Sequence, residues 1–119
     1  MTTIFVFGSN LAGRHGKGSA KYAMYEYGAV YGVGVGRTGD AYAIPTKGYS
    51  LEVLPLYVIK HHVEDFLKYA KDNPGLRFEI VNIGCGLAGY TPQQIAPMFK
   101  GAPSNCLFSQ EFSYILGLE

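Results

Sequence analysis

Phe7-Gly8-Ser9-Asn10-Leu11-Ala12-Gly13-Arg14-His15-Gly16-Lys17-Gly18 is the stretch on which the reading of this chain turns. Before it, the apolar run Ile4 to Phe7 stops at Gly8, as a buried strand does on meeting a loop. After it, Gly18 to Tyr27 (GSAKYAMYEY) reads as a helix that ends at Gly28. A strand that runs through a glycine-rich loop into a helix leaves free N–H groups at the helix start, and these favour an anion. Asn10, just past the strand, can donate and accept hydrogen bonds toward a ribose or a carbonyl. The segment is not a Walker loop, because glycine follows Lys17 where Ser or Thr is required, and it does not match the dinucleotide fingerprint. Taken alone, a turn-rich connection with Asn10 as a local cap explains it equally well.

Working outward, the glycine-punctuated stretch Gly32 to Gly39 cannot be a regular helix, since each interior glycine costs about 1 kcal/mol relative to alanine. Ala41 to Ile44 reads as a second strand closed by Pro45. The clearest helix is Leu56 to Lys71: Leu56, Ile59, Val63, Phe66, Leu67 and Ala70 recur along one stripe, and Lys60, Glu64, Lys68 and Lys71 face away. Asn73-Pro74-Gly75 ends it. Phe78 to Ile83 is a third strand, apolar enough to lie centrally, and Asn105 to Phe108 a last one. Between them Thr91, Pro92 and Gln94 spell a capping box with proline at the first helical position. The apolar segment Phe112 to Leu116 fits either the core or a self-association surface. Strands alternating with helices imply an α/β fold, a mostly parallel sheet with helices on both faces. In such sheets ligands bind beyond the carboxyl ends of the strands.

The chain's 119 residues fit one domain, residues 1–119, with no room for a second core. It is 48% hydrophobic and 16% charged, enough apolar matter for a packed interior, which argues against disorder. A formal net charge of +1 excludes a surface that binds nucleic acid through its whole backbone field. The N-terminus reads as a strand rather than a signal peptide, and no apolar run approaches the roughly 18 residues of a membrane span. Cys85 and Cys106 read as reduced thiols of a cytoplasmic protein. Neither they nor His15, His61 and His62 have a metal-ligand spacing, so neither a metal nor another cofactor is expected.

Two further segments carry chemistry. Gly84-Cys85-Gly86-Leu87-Ala88-Gly89-Tyr90, followed by the capped helix at Thr91, again runs from strand to glycine loop to helix and offers a backbone cradle for a diphosphate. Two such loops on one sheet edge are more specific than either alone. In Tyr42-Ala43-Ile44-Pro45-Thr46-Lys47-Gly48, Lys47 can project into the same crevice, to neutralise phosphate or, if desolvated, to act as nucleophile or base. Arg37 is a second candidate cation, equally well read as a surface arginine. Cys85 reads better as a small apolar residue beneath its loop than as half of a thiol–imidazole pair with His15. Among the ten tyrosines, Tyr90 is placed to stack on a base.

These pieces resemble a macro domain, in a compact form similar to short proteins of bacteria and their phages, and the resemblance covers most of the chain. The segment Phe7 to Gly18 resembles the asparagine-then-glycines loop that macro domains set against the distal ribose. Ile83 to Tyr90 resembles the loop that wraps the diphosphate of ADP-ribose. Ile44-Pro45-Thr46-Lys47 before the long helix is similar to the branch that removes ADP-ribose from proteins or DNA, where a lysine at this motif takes part in the reaction. The resemblance implies a three-layer α/β/α fold binding ADP-ribose, or an ADP-ribosylated macromolecule, in a crevice at the sheet edge. Lys47 and Asn10 then stand in the catalytic positions. Gly8, Ser9, Gly13, Arg14, Gly16, Gly18, Arg37, Thr46, Gly84, Cys85, Gly86, Leu87, Ala88, Gly89 and Tyr90 complete the binding set. Some members of that branch carry an acid where this chain has Ala88. Three functions stay open: a hydrolase of an ADP-ribosyl linkage, a non-catalytic sponge for a signalling nucleotide, and an interaction module without ligand.

Overall fold

Ile4 and Val6 face one side of the sheet, Phe5 and Phe7 the other, and all four are buried, because successive side chains of a strand point to opposite faces. They belong to β1 (Thr3–Asn10), the middle strand of a five-stranded sheet in the computed structural model, which describes residues 1–118. The other strands are β2 (Gly36–Thr38), β3 (Ala41–Lys47), β4 (Arg77–Ile80) and β5 (Cys106–Phe108), and the order across the sheet is β2-β3-β1-β4-β5. β1 runs parallel to β3 and β4, and β4 parallel to β5; only β2, at the edge, is antiparallel.

The strands differ from the sequence expectation in three places. β3 does not close at Pro45 but continues to Lys47. The missing N–H is tolerated because β2 ends opposite Ala43, and the pairing with β1 is itself irregular just past Ser9 and Pro45. β4 is regular only to Ile80; the chain then turns, with the Ile83 N–H donating back to the Val81 carbonyl at 2.7 Å. The glycine stretch contributes β2, pairing Gly36 with Ala43.

Four helices cover the two faces. α1 (Gly18–Tyr27) buries Ala20 and Ala23 with Phe5, Phe7, Ala41 and Ala43, and ends at Gly28 in the left-handed conformation, as read from the sequence. On the other face α2 (Leu56–Asp72) buries Ile59, Val63, Phe66 and Ala70, the expected stripe. The Phe66 ring lies 5.0 Å from that of Tyr42, 5.3 Å from Phe78 and 6.3 Å from Phe99. Burying one such ring stabilises the fold by about 2–3 kcal/mol. α3 (Pro92–Ile95) continues into a 3₁₀ turn, Ala96–Phe99, and carries the full Thr91–Gln94 capping box. The C-terminal segment is α4 (Gln110–Leu116), whose Phe112 completes the core.

Two core groups resist ionisation. Burial pushes the Cys106 thiol up to about 12. The Tyr42 hydroxyl is raised to about 12 as well, by burial first and then by the negative charges of Asp65 and Tyr69. An unfolded chain releases these protons from the ordinary values of 9.0 and 10.0 while the folded chain keeps them, so folding weakens as pH rises from 9.0 upward. The midpoint of thermal unfolding is expected to fall between about pH 8 and about pH 11, and Cys106→Ala to flatten the first part of that fall. Calorimetric scans across that range check it; identical slopes for the two proteins would remove Cys106 from the account.

Candidate functional site

Asn10 and Lys47 end their strands opposite one another: they are register partners in the β1–β3 ladder, and the Leu11 N–H donates to the Lys47 carbonyl at 2.9 Å. Beyond them, at the carboxyl ends of the parallel strands, opens a cleft of about 540 Å³. The chain leaves β1 for α1 and β3 on one side, then crosses by α2 to β4 on the other, so the cleft sits where the connections diverge.

The first wall is the loop after β1. Its path is fixed from behind by the segment Val30 to Gly34. The Ser9 hydroxyl donates to the Gly34 carbonyl at 2.5 Å, the Gly32 N–H donates to the Gly13 carbonyl at 2.8 Å, and His15 Nε2 lies 3.0 Å from the Val33 carbonyl. Gly13 has φ +70°, and a Cβ there would run into the backbone of Gly32 and Val33; one at Gly34 would strike the carbonyl oxygen of Asn10. Both glycines are demanded by close backbone approach. His15 is fully buried, edge-on to Phe7, so it supports the loop from the α1 face of the sheet; Cys85 packs against the core of the opposite face. The two form no thiol–imidazole pair.

Asn10 also serves its own loop. Its Nδ2 donates to the Arg14 carbonyl at 3.0 Å and its Oδ1 accepts from the Arg14 N–H at 2.9 Å, which leaves one amide proton and one lone pair for a ligand. Thr46 ties β3 to β1 through its hydroxyl, which donates to the Ser9 carbonyl at 3.3 Å. The start of α1 is open: Lys17, at the N-cap, offers no capping side chain, and the first turn holds no acid. The N–H groups of Gly18, Ser19 and Ala20, all cleft residues, have no partner among the described residues.

The facing wall is the loop after β4. Cys85, Gly89 and Tyr90 donate their N–H groups within the loop, to Asn82, Gly86 and Gly84, whereas those of Gly86, Leu87 and Ala88 have no partner among the described residues. The donors on this side belong to the loop alone, because α3 is one turn long and its start is closed by the capping box, contrary to the expected helix-start cradle. Three cations line the cleft, Arg14, Lys17 and Lys47, and no carboxylate does. None of the three side chains has a hydrogen bond or ion pair among the described residues; Lys47 is half-buried and the other two are exposed.

The cleft gathers Gly8, Ser9, Asn10, Arg14, Gly16, Gly18, Thr46, Lys47, Gly84, Gly86, Leu87 and Ala88 of the residues singled out from sequence. Five others lie elsewhere. Arg37 sits on the edge strand β2, where its guanidinium donates to the Gly39 carbonyl and the Tyr69 hydroxyl, each at 3.1 Å, and pairs with Asp40 at 3.7 Å. Tyr90 is no stacking platform: its hydroxyl donates to the Leu54 carbonyl at 2.7 Å and its ring packs on the core. Cys85 is half-buried, with its Sγ donating to the Ile83 carbonyl at 3.6 Å, and burial, followed by the charge of Glu111, raises its thiol. Gly13 is buried within its loop and Gly89 is exposed, and neither lines the cleft.

Sequence reasoning missed Lys17, Leu51 and Asn82 as cleft residues. Lys17 was within reach, since it directly precedes the α1 start. Leu51 gave no signal: it stands at φ 64° in a small hairpin in which Lys47 bridges Val53 and the Gly48 N–H donates to the Glu52 carbonyl at 2.8 Å. Asn82 lay inside a segment read as strand. Among the described residues no group of three or more His, Cys, Asp or Glu side chains could hold a metal ion, and no helix is long and apolar enough to cross a membrane. No family model matches the chain, and neither a curated protein nor a solved structure matches it.

Proposed function

We propose that this chain is a macro-domain-like protein that binds ADP-ribose, or a nucleotide derived from it, in the cleft at the ends of β1, β3 and β4. The observation that carries the reading is the charge and donor pattern: unbonded backbone N–H groups on facing walls, three unpaired cations, and no carboxylate. A diphosphate satisfies that pattern, being doubly anionic and rich in acceptors. The layered architecture and the Asn10–Lys47 pairing support the likeness to macro domains.

In this reading the α1 start and the Gly86 to Ala88 backbone hold the diphosphate, and Asn10 offers its spare amide proton to the distal ribose. Lys47 stands beside that ribose. The absence of a carboxylate from the cleft favours retention of the nucleotide without turnover, because no side chain there can activate a water as a carboxylate general base does.

Thermal unfolding with ADP-ribose, AMP, NAD and a cyclic dinucleotide in parallel tests the ligand. ADP-ribose held at about 100 times its dissociation constant is expected to add about 2.7 kcal/mol of stability. No shift with any of the four would leave the cleft without a nucleotide role. Recovery of the nucleotide unmodified after prolonged incubation with a mono-ADP-ribosylated protein supports the sponge. Release of ADP-ribose, abolished in Lys47→Ala, establishes hydrolysis through Lys47 instead.

A further inference from the structure

Asn82 lies just past β4 and lines the cleft, and its side chain is held at both ends of the amide. Its Nδ2 donates to Oε1 of Glu111 at 2.8 Å, and its Oδ1 accepts from the Ser109 hydroxyl. That hydroxyl is itself committed, since it accepts from the Phe112 N–H at 3.1 Å as the N-cap of α4. An ionised carboxylate only accepts, so Glu111 admits the amide nitrogen and not the oxygen; the Ser109 proton completes the assignment. One amide proton and one lone pair of Asn82 remain unused.

We propose that Asn82 is a specificity-determining residue of the cleft, presenting its second amide proton to a neutral acceptor, an oxygen or ring nitrogen of the nucleoside part of the ligand. Ser109 and Glu111 are its positioning residues. The inference rests on the nucleotide reading above and adds to it the group that reads the uncharged part of the ligand. β4 flanks β1 on the side away from β3. Strand spacing sets the axes of β3 and β4 about 10 Å apart, so Lys47 and Asn82 reach the cleft from opposite sides of β1. The three cations belong to the loop after β1 and the end of β3, whereas the side chains that the β4 side brings to the cleft carry no charge and Asn82 is the one amide among them. A neutral amide held by a carboxylate suits that end: it supplies a directed donor without adding charge that a bare phosphate would also attract.

Titration calorimetry on the full chain tests this, with ADP-ribose and inorganic pyrophosphate as the two probes. Asn82→Ala is expected to weaken ADP-ribose about tenfold, the worth of one hydrogen bond, and to leave pyrophosphate within about twofold. Glu111→Ala frees the amide to rotate and is expected to weaken ADP-ribose about threefold. Glu111→Gln, whose carbonyl oxygen still accepts from Nδ2, restores most of that loss, a rescue that a merely structural role for Glu111 does not predict. Asn82→Ser serves as the second variant if the alanine protein fails to fold, with the same expectation. Binding of ADP-ribose by the Asn82 variant at wild-type strength, or equal weakening of both probes, overturns the assignment and leaves the nucleotide reading standing. Failure of the wild-type chain to bind ADP-ribose overturns both.

Discussion

Gly34→Ala is expected to lower the thermal midpoint by about 10 °C or more, corresponding to about 3 kcal/mol. The added methyl group meets the carbonyl oxygen of Asn10, and neither side is a flexible side chain that can swing away. The β1–α1 loop and the Val30 to Gly34 segment must part, and the Ser9–Gly34 and Gly32–Gly13 hydrogen bonds are strained with them. The Ser9–Gly34 bond is buried, so its loss leaves polar groups without partners as well as a packing fault. Gly75→Ala is the control: nothing lies within 4 Å of a Cβ there, and the midpoint is expected to stay within about 2 °C. Differential scanning calorimetry on the three proteins decides it. Because the loop that parts is a wall of the cleft, Gly34→Ala is also expected to lose ligand at temperatures where the sheet is still folded.

Lys47→Glu is expected to weaken ADP-ribose binding about a hundredfold, the largest effect of any single cleft substitution. Lys47 is the one half-buried cation of the three, and it emerges where the β1 and β3 ladders end. Water screens it less than the exposed Arg14 and Lys17, so reversing its charge acts on a bound phosphate more strongly than reversing either of theirs. Arg14→Glu is expected to cost only about threefold, and most of that is expected to vanish at high salt, as for any exposed charge. Affinities of the two variants at low and high salt separate the cases. If both fall equally and both recover with salt, the cleft attracts anions from its rim and Lys47 has no special place in it.

The sequence carried the two long helices and the parallel sheet well, because their signals are local. Gly28 stops α1 by its left-handed conformation, and the α2 stripe repeats through four buried positions. What it could not carry depended on neighbours. Pro45 looks like a strand end until one sees that the β2 pairing reaches no further than Ala43, so the missing N–H of Pro45 costs no bond to β2. Asn82 looks like strand until the chain is seen to turn at Val81. The site behaved the same way. Both glycine loops reached the cleft because strand-to-loop junctions in a parallel sheet end on one edge. Tyr90 did not, since its hydroxyl finds the Leu54 carbonyl, a partner 36 residues away that no local pattern records. Arg37 was lost for a different reason: the glycines around it form an antiparallel edge strand rather than a loop over the site.

The contact between α1 and the sheet has a consequence for how such a cleft changes over time. Ala20 and Ala23 share one buried cluster with Phe5, Phe7, Ala41 and Ala43, so small side chains on the helix let it lie close against the strands. Side-chain volume there works as a shim. A valine or leucine in place of one alanine lifts the helix, and its unpaired N-terminus rises with it from the floor of the cleft. The gape of the pocket is thus set by residues that touch no ligand, and the size of what fits can drift while every recognising group stays the same.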